Sequence, residues 1–311
     1  MVPRTTCGSS NCRPPVTRGD DLPGVSVVVP AYNENARVAG CIASLIAQDY
    51  PRELLRIIVV DNGSQDGTFA TLQATAGILA LQEPAPGAYA ARNLGLRHVT
   101  SEVVCFTDAD CTAATDWVRN AVRQLACRSV GIVAGHVQLE AVERGRLSAA
   151  ELFEKFFAFR QARNARENRC VTANWCSRTQ LIRELGGFDA TLRSGGDREL
   201  SQRIANAGYR IVYAPDAIVR HPLRASFAEL TRKGRRVAGG VYATSYLARR
   251  KSFASLLWSF AKQARRRCRE ALAVDGIATL DRVRLISVII ALSAASMSES
   301  VRLRCGGEPL R

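Results

Sequence analysis

The sequence predicts an α/β fold in which a mostly parallel sheet carries helices on both faces. Two observations support this prediction. From Gly24 onward, short apolar runs rich in β-branched residues alternate with stretches whose apolar residues keep helical spacing. The apolar runs are also nearly continuous, which is typical of strands buried on both faces. We predict strands at 25–29, 57–60, 78–81 and 103–107.

Helical patterns fill the intervals between these strands. Val38, Cys41, Ile42 and Leu45 keep the 3.6-residue period of one buried helix face, and Tyr89–His98 has a similar pattern. Strand–helix alternation produces a parallel sheet, whose ligands collect at the carboxyl ends of the strands. Polar residues directly after each strand are therefore the candidates for a functional site.

The alternation loosens after Leu139. Helical spacing and the aromatic residues of 149–163 predict a single helix with an aromatic face. Further along, we predict a short helix at 178–185, a helix at 197–207, a strand at 209–213 and an extended segment that ends at His221.

The chain divides into three regions by composition. Residues 1–23 are rich in Pro, Arg, Ser and Gly and lack the apolar core of a signal peptide, so we expect a disordered leader. Residues 24–221 carry the strand–helix pattern. Residues 222–311 form a basic region in which we expect helices.

Net charge and cysteine content limit the class of protein. The 311 residues carry a net charge of +15, which indicates an anionic partner such as nucleic acid, an acidic membrane surface or a phosphate-bearing substrate. The ten cysteines have no metal-type spacing. We therefore interpret them as free thiols of a reducing cytosol.

Polar residues follow the first two predicted strands. Pro30 ends the first strand, and Tyr32 and Glu34 come directly after it. Asp61 ends the second strand in a glycine-containing turn, where an ionised carboxylate can accept hydrogen bonds from hydroxyl or imide groups. An ordinary turn with a capping side chain is the alternative for both segments.

The fourth strand ends in Asp108-Ala109-Asp110. Two carboxylates this close repel each other unless a cation lies nearby. Mg²⁺ and Mn²⁺ take oxygen ligands and share them with substrate phosphates, so the pattern predicts a divalent metal site. A solvated acidic turn is the alternative.

The motifs together resemble a known family. The strings VSVVVPAYNE, VVDNGSQDGT, ARNLG and FTDADC, followed by GGFD, GGDREL and a closing stretch to His221, resemble family-2 glycosyltransferases of the GT-A fold, which has a Rossmann-like sheet. The resemblance covers about 25–221. It implies a nucleotide-sugar half at about 24–112 and an acceptor half at about 113–221.

The resemblance also implies roles for individual residues. The implied donor-binding residues are Pro30, Tyr32, Glu34, Asp61, Arg92 and Asp108. Asp110, Asp108 and His221 are the implied ligands of Mn²⁺ or Mg²⁺. Asp197 occupies the position of the family's general base, with Glu199 as the substitute and a helix cap as the alternative role. The sequence departs from the family at Gly196 and Asn62, where an acidic residue is usual.

The segment Arg232–Arg236 lies where processive synthases of the family carry Gln-x-x-Arg-Trp, but it has neither the Gln nor the Trp. This departure implies transfer of a single sugar. Arg235, Arg236 and Trp175 are candidate contacts of the diphosphate or the acceptor, and a solvated basic helix face is the alternative for the two arginines.

The C-terminal region suggests a membrane surface as a partner. Apolar residues at 253–260 precede a dense basic run, which is typical of an amphipathic helix on an anionic membrane. The apolar run at 285–297 is shorter than the roughly 20 residues that span a bilayer. We therefore expect a peripheral protein on the cytoplasmic face of the membrane, acting on a glycan or lipid-linked acceptor of the cell envelope.

Two other functions compete with this interpretation. A nucleotidyltransferase also combines a parallel sheet with paired carboxylates, but it usually carries a glycine-rich basic loop where this chain has Tyr32-Asn33-Glu34. A nucleic-acid-binding protein would explain the net charge. The basic residues, however, cluster after His221 without the interleaved aromatic residues of such proteins, so we expect no nucleic-acid partner.

Overall fold

The computed structural model describes residues 22–141, 145–248, 250 and 252–310. Most of the predicted leader, residues 1–21, lies outside the described part. The strands are β1 (Val25–Ala31), β2 (Leu55–Asp61), β3 (Leu79–Gln82), β4 (Val103–Phe106), β5 (Thr112–Ala113), β6 (Val130–Glu140), β7 (Trp175–Arg178) and β8 (Arg210–Pro222). The helices of the α/β part are α1 (Val38–Ile46), α2 (Thr68–Ala74), α3 (Ala88–Arg97), α4 (Trp117–Leu125), α5 (Ala149–Phe157), α6 (Gln161–Arg166), α7 (Thr179–Glu184) and α8 (Gly196–Asn206).

These strands form one sheet in the order β3-β2-β1-β4-β7-β6-β8-β5. The half from β3 to β4 is parallel throughout. In the other half, β7 runs antiparallel to both β4 and β6, and β5 runs antiparallel to β8, while β6 and β8 are parallel. The predicted parallel sheet is therefore confirmed for its first half, and the second half is mixed.

Both faces of the sheet are covered, because successive side chains of β1 point to opposite sides. Val25, Val27 and Val29 join the apolar cluster that includes α1 and α4. Val28 joins a second cluster that includes α3, α7 and α8. The sheet is thus the middle layer of three, and its strand ends are the open edge on which a site can form.

The region from 128 to 222 differs from the prediction in three ways. The long strand β6 and the short strand β7 were not predicted. The single helix predicted at 149–163 is wrong, because the chain breaks between α5 and α6 at Phe159, which has a positive φ of 46°. The strand and extended segment predicted before His221 form one strand, β8, with irregular register near Gly135.

The C-terminal part consists of α9 (Phe227–Val241), which continues as a π-helix at Tyr242–Leu247, then α10 (Phe253–Leu272) and α11 (Thr279–Arg304). These helices pack on one another and on α5 through a separate apolar cluster that contains Leu230, Leu285, Ile289 and Leu292. Within the described residues, none of the helices combines the length and the apolar character that crossing a bilayer requires.

Candidate active site

A cavity of about 1100 Å³ lies at the carboxyl ends of β1 and β4 and extends to α9. Strand ends, the first turn of α8 and the side of α9 all contribute to its wall. The predicted site residues that line it are Pro30, Tyr32, Glu34, Arg92, Asp108, Asp110, Asp197, His221 and Arg236. The structure therefore brings together residues that are up to about two hundred positions apart in the sequence.

Asp110 and His221 form a carboxylate–imidazole pair on the cavity wall. The Nε2 of His221 lies 3.3 Å from Oδ2 of Asp110, and the His221 side chain is only 2% exposed. Its Nδ1 lies 2.6 Å from the carbonyl oxygen of Pro222, a geometry that requires a proton on Nδ1. The lone pair of a neutral Nε2 then faces a carboxylate oxygen. Two acceptor atoms at this distance need a cation between or beside them, either a proton or a metal ion.

This donor set fits Mn²⁺. Carboxylate oxygen and imidazole nitrogen are both acceptable to Mn²⁺, whereas Mg²⁺ strongly prefers oxygen. The Sγ of Cys111 is also nearby and donates to Oδ1 of Asp110 at 3.6 Å. Burial, and then the charges of Asp110 and Asp108, raise the pKa of the Cys111 thiol well above its ordinary value. The thiol is therefore a neutral donor that orients the Asp110 carboxylate.

A chain of contacts connects Asp108 to Asp197. The buried Arg92 donates from Nη2 to Oδ1 of Asp108 at 2.5 Å, and its guanidinium carbon lies 5.7 Å from the ring centroid of Tyr89. The hydroxyl of Tyr89 donates to Oδ1 of Asp197 at 3.3 Å. Arg92 and Tyr89, both on α3, thus hold two carboxylates of the cavity in fixed positions.

Asp197 lies in the first turn of α8, directly after Gly196, where the Tyr89 ring leaves no room for a side chain. A Cβ at Gly196 would lie 2.8 Å from the Tyr89 ring, so the departure from the family's acidic residue at Gly196 makes room for that ring. Burial raises the pKa of Asp197 above its ordinary value, against the lowering effect of the Arg198 backbone N–H. Asp197 is therefore a stronger base than a solvent-exposed aspartate.

Glu199, the substitute candidate for the base, has a different environment. Both of its oxygens accept hydrogen bonds from the guanidinium of Arg203, at 2.8 and 2.7 Å. Its side chain does not belong to the cavity wall formed by the described residues. The geometry therefore favours Asp197 over Glu199 as the base.

Hydrogen bonds between the loops after β1 and β2 position Tyr32 and Glu34. The backbone N–H of Glu34 donates to Oγ1 of Thr68 at 2.9 Å, and Oδ1 of Asn33 accepts from the N–H of Gln65 at 2.9 Å. Burial, and then repulsion from Asp110, raise the pKa of Glu34. Glu34 thus adds negative charge close to Asp110, which favours a bound cation.

Three of the predicted residues do not reach the cavity wall. Asp61 is fully buried, and its carboxylate accepts hydrogen bonds from the N–H groups of Gly63 and Ser64, so it stabilises the turn after β2. Trp175 is fully buried in the sheet and packs against Phe188. Arg235 points toward α11, where its Nε lies 3.6 Å from Glu299.

A charged cluster that the sequence analysis missed lies beside His221. Glu154 on α5 is fully buried and accepts hydrogen bonds from Arg224 and from Lys233 on α9, both at 2.8 Å. The Nζ of Lys233 lies 4.7 Å from the ring centroid of Phe159, and that ring lies 4.5 Å from the ring of His221. A glutamate within an apolar helix gives no sequence signal of such a partner.

The pKa values of Glu154 and Lys233 are both lowered, which favours the charged form of Glu154 and disfavours that of Lys233. Burial acts to raise the pKa of Glu154, but Lys233 and Arg224 outweigh it and hold the pKa at about 2. Burial lowers the pKa of Lys233 to about 8, and repulsion from Arg224 adds to this effect. The reason is stoichiometric: one carboxylate serves two cations, so Glu154 is fully compensated and Lys233 is not.

A cavity at the carboxyl edge of a parallel sheet, with a carboxylate–imidazole pair and a buried aspartate, is typical of an enzyme that transfers a group from a nucleotide substrate. The model of the family described as Glycosyl transferase family 2 matches residues 26–185. The chain belongs to this family and is a nucleotide-sugar-dependent glycosyltransferase. The alternative of a nucleotidyltransferase is not favoured.

Relatives of known name agree with this assignment. The chain is 34% identical over 247 residues to glycosyltransferase AglE of Haloferax volcanii, covering 76% of this chain and 80% of that protein. It is 30% identical over 222 residues to the pre-mycofactocin glycosyltransferase of Mycobacterium tuberculosis, but that match spans 68% of this chain and only 45% of the longer relative.

Solved structures support the GT-A fold. A mannosyltransferase, PcManGT from Pyrobaculum calidifontis, in complex with GDP-Man and Mn²⁺, is 25% identical, has a TM-score of 0.57, and matches 94% of this chain and 78% of its own. S. aureus TarS, residues 1–349, shares the fold at 18% identity and a TM-score of 0.51, with 91% of this chain and 92% of TarS covered.

Proposed function

We propose that this glycosyltransferase moves a single sugar from a nucleotide-sugar donor to a hydroxyl acceptor, with a divalent metal ion, Mn²⁺ by preference, held by Asp110 and His221. The observation that carries the proposal is the 3.3 Å separation of the Asp110 carboxylate and the His221 imidazole on the cavity wall. Mn²⁺ in the structure of the mannosyltransferase neighbour is consistent with it.

Each residue of the cavity then has a role. When bound, the ion would neutralise charge that develops on the leaving diphosphate. Asp110 and His221 would hold the ion, and Arg92 fixes the Asp108 carboxylate on the same cavity wall. Tyr32, which is 43% exposed, and Glu34 lie on the first strand's loop, where a nucleoside can contact them.

Asp197 serves as the general base in this proposal. Its carboxylate removes the proton from the acceptor hydroxyl while Tyr89 and the Arg198 N–H keep it oriented. The hydroxyl oxygen attacks the anomeric carbon from the side opposite the leaving diphosphate. Attack from that side inverts the configuration of the anomeric carbon.

The proposal extends to the location of the enzyme. We assign the sheet domain to 24–221 and the helical region to 222–311, with the addition that α9 forms part of the cavity wall. A peripheral position on the cytoplasmic face of the membrane, with a glycan or lipid-linked acceptor of the cell envelope, suits the cations and the exposed Trp258 of α10.

The metal assignment is tested by Asp110→Asn. Neutralising this carboxylate removes an anionic ligand and leaves His221 without its partner, so we expect Mn²⁺-dependent binding of the nucleotide to be lost while the fold is retained. Calorimetry with UDP or GDP, with and without Mn²⁺, measures it, and circular dichroism checks the fold. Asp275→Asn, an exposed aspartate on the loop before α11, is the matched control. Unchanged Mn²⁺-dependent affinity in Asp110→Asn would show that the ion, if bound, lies elsewhere.

A further inference from the structure

Helix α9 runs along the cavity from the side of His221 to the side of Asp197. It follows His221 and Arg224 at its N-terminal side, where Arg224 and Lys233 both bind Glu154. At its C-terminal side, Gly240 packs directly on the carbonyl of Ser194, three residues before Asp197. The middle of α9 therefore lines the space between the proposed metal site and the proposed base.

Three cations of α9 face this space. Arg232, Lys233 and Arg236 all line the cavity, and Arg232 and Arg236 are one helical turn apart, on the same face. Of these, only Lys233 has an ion-pair partner among the residues that the structure describes. That partner, Glu154, is shared with Arg224, so the group as a whole carries uncompensated positive charge.

We propose that Arg232, Lys233 and Arg236 bind a phosphate group of the acceptor, so that the substrate accepting the sugar is a phosphate ester. This inference rests on the proposed function, because it takes the positions of donor and base from it. Guanidinium groups one turn apart suit the several oxygens of a phosphate, and each hydrogen bond is charge-assisted. Lys233 adds a third donor from the adjacent position.

The position of these cations assigns them to the acceptor rather than to the donor. The proposed function puts the donor diphosphate at Asp110 and His221, and the ring of Phe159 contacts His221 on one side and the Nζ of Lys233 on another, at 4.5 and 4.7 Å from its centroid. An acceptor must present its hydroxyl to Asp197, toward which α9 runs. A phosphate on Arg232 and Arg236 therefore anchors the acceptor while leaving its reacting end free to reach the base.

The exposed Val237 follows Arg236 on α9 and also lines the cavity, where an apolar chain attached to the phosphate can contact it. A lipid-linked phosphate and a soluble sugar phosphate present the same phosphate chemistry to the arginines. They differ in whether an apolar chain adds to the affinity, and the experiment separates them on this basis.

The test is calorimetry with two probes, farnesyl phosphate and inorganic phosphate. Both are titrated into wild type and into the R232Q/R236Q variant, after the donor site has been filled with Mn²⁺ and UDP or GDP. We expect the wild type to bind phosphate under these conditions and the variant to bind roughly tenfold or more weakly, with nucleotide affinity unchanged. The matched control R128Q/R210Q removes two exposed cations that do not line the cavity, and we expect it to behave as wild type.

The outcomes separate the possibilities. An equal loss of nucleotide affinity in R232Q/R236Q would overturn the inference, because the arginines would then serve the donor diphosphate. Displacement of phosphate by the nucleotide with Mn²⁺ would overturn it as well. Tighter binding of farnesyl phosphate than of inorganic phosphate supports a lipid-linked acceptor, and equal binding supports a soluble one. Failure of wild type to bind any nucleotide with Mn²⁺ would overturn the proposed function, whereas arginine-dependent phosphate binding in the nucleotide-free protein would still establish the anion site.

Discussion

Among single residues, Asp197 shows most clearly how surroundings determine chemistry. A helix N-terminus favours a negative charge, but burial disfavours it, and burial has the larger effect on the pKa. The carboxylate is therefore deprotonated only at a higher pH than an exposed aspartate would require. Tyr89 and the Arg198 N–H fix its orientation at the same time.

Replacing this carboxylate tests its role as the base. We expect Asp197→Asn to lower turnover by about 10²–10⁴-fold, the usual contribution of general-base catalysis, with nucleotide affinity retained because the donor contacts lie on other loops. Glu199→Gln is the control and should keep most of the activity, since the Glu199 carboxylate pairs with Arg203 and does not line the cavity. Turnover with a defined acceptor and nucleotide affinity are measured in both. If Glu199→Gln is inactive and Asp197→Asn is active, then Glu199 is the general base and Asp197 is not.

The burial that raises the pKa of Asp197 makes it a stronger base, but it also lowers the stability of the folded protein at neutral pH. A carboxyl whose folded pKa is raised adds stability below its ordinary pKa, and this contribution is lost as the pH rises through the folded pKa. Asp197→Asn should therefore unfold at a higher denaturant concentration than wild type near neutral pH, and the difference should vanish in acid. The acid limb of wild-type kcat/KM should lie above the range of an exposed aspartate.

The residues of the site were predictable to different degrees. Asp108 and Asp110 were predicted because a buried strand places whatever follows it at the sheet edge. Asp61 follows the same rule, but its carboxylate accepts hydrogen bonds from its own turn and does not reach the cavity wall, so its role in donor binding stays a prediction. The arrangement of Lys233 with Glu154 depends on contacts across about eighty residues, which no local pattern records.

A helix or strand could be predicted from the sequence when the residues that stabilise it are close to one another in the chain. Strands β1 to β4 were predicted because they are short, apolar and bounded by turns. Strand β7 has four residues and follows a three-residue 3₁₀ turn at Thr172–Asn174, so its pattern is too short to detect. The break at Phe159 interrupts a continuous helical period, and its cause is tertiary: the ring packs against His221 and Lys233.

The buried carboxylate of Glu154 links α5 to α9, and its loss should affect stability strongly. Glu154→Gln leaves Arg224 and Lys233 without a charge partner, and breaking a buried pair in this way costs about 3–5 kcal/mol. Because the folded pKa of Glu154 is lowered to about 2, its contribution is present above the ordinary carboxyl pKa and is lost as the pH falls through the folded value. Urea unfolding across pH measures both effects.

The control for this experiment is Glu184→Gln, an exposed glutamate at the end of α7. It should leave the unfolding free energy within about 0.5 kcal/mol of wild type. If Glu154→Gln is as stable as wild type at neutral pH, then water hydrates Arg224 and Lys233 once the carboxylate is removed. The link between α5 and α9 would then be a minor one.

At the level of the whole molecule, positive charge is concentrated in the C-terminal helices. Trp258, Lys262, Arg265, Arg269 and Leu272 on α10 recur every three or four residues and are all exposed, so they form one stripe. The opposite face of α10 is buried against its neighbours. This stripe is separate from the cavity cations of α9, and the net charge of +15 thus serves two proposed partners, a phosphate-bearing substrate and an anionic surface.

Deleting the C-terminal helices would not test the membrane proposal cleanly. Leu256 and Phe260 of α10 and Leu285 of α11 are buried in the clusters that cover α5 and α9. Their removal would expose apolar surface and alter the wall of the cavity. Substitutions confined to the exposed stripe of α10 keep this packing and change only the surface charge and the aromatic side chain.

We expect the K262Q/R265Q/R269Q variant to lose affinity for vesicles of phosphatidylcholine mixed with phosphatidylglycerol. Each cation near an anionic surface contributes about 1 kcal/mol, so three should lower partitioning by about two orders of magnitude. Flotation at low and high salt measures this. R56Q/R128Q/R210Q, which removes three exposed cations elsewhere, is the control. Trp258→Ser should reduce the part of binding that survives high salt, because an aromatic ring at the interface is not screened by ions. Equal flotation of the α10 variant and the control would refute this stripe as the membrane-binding surface.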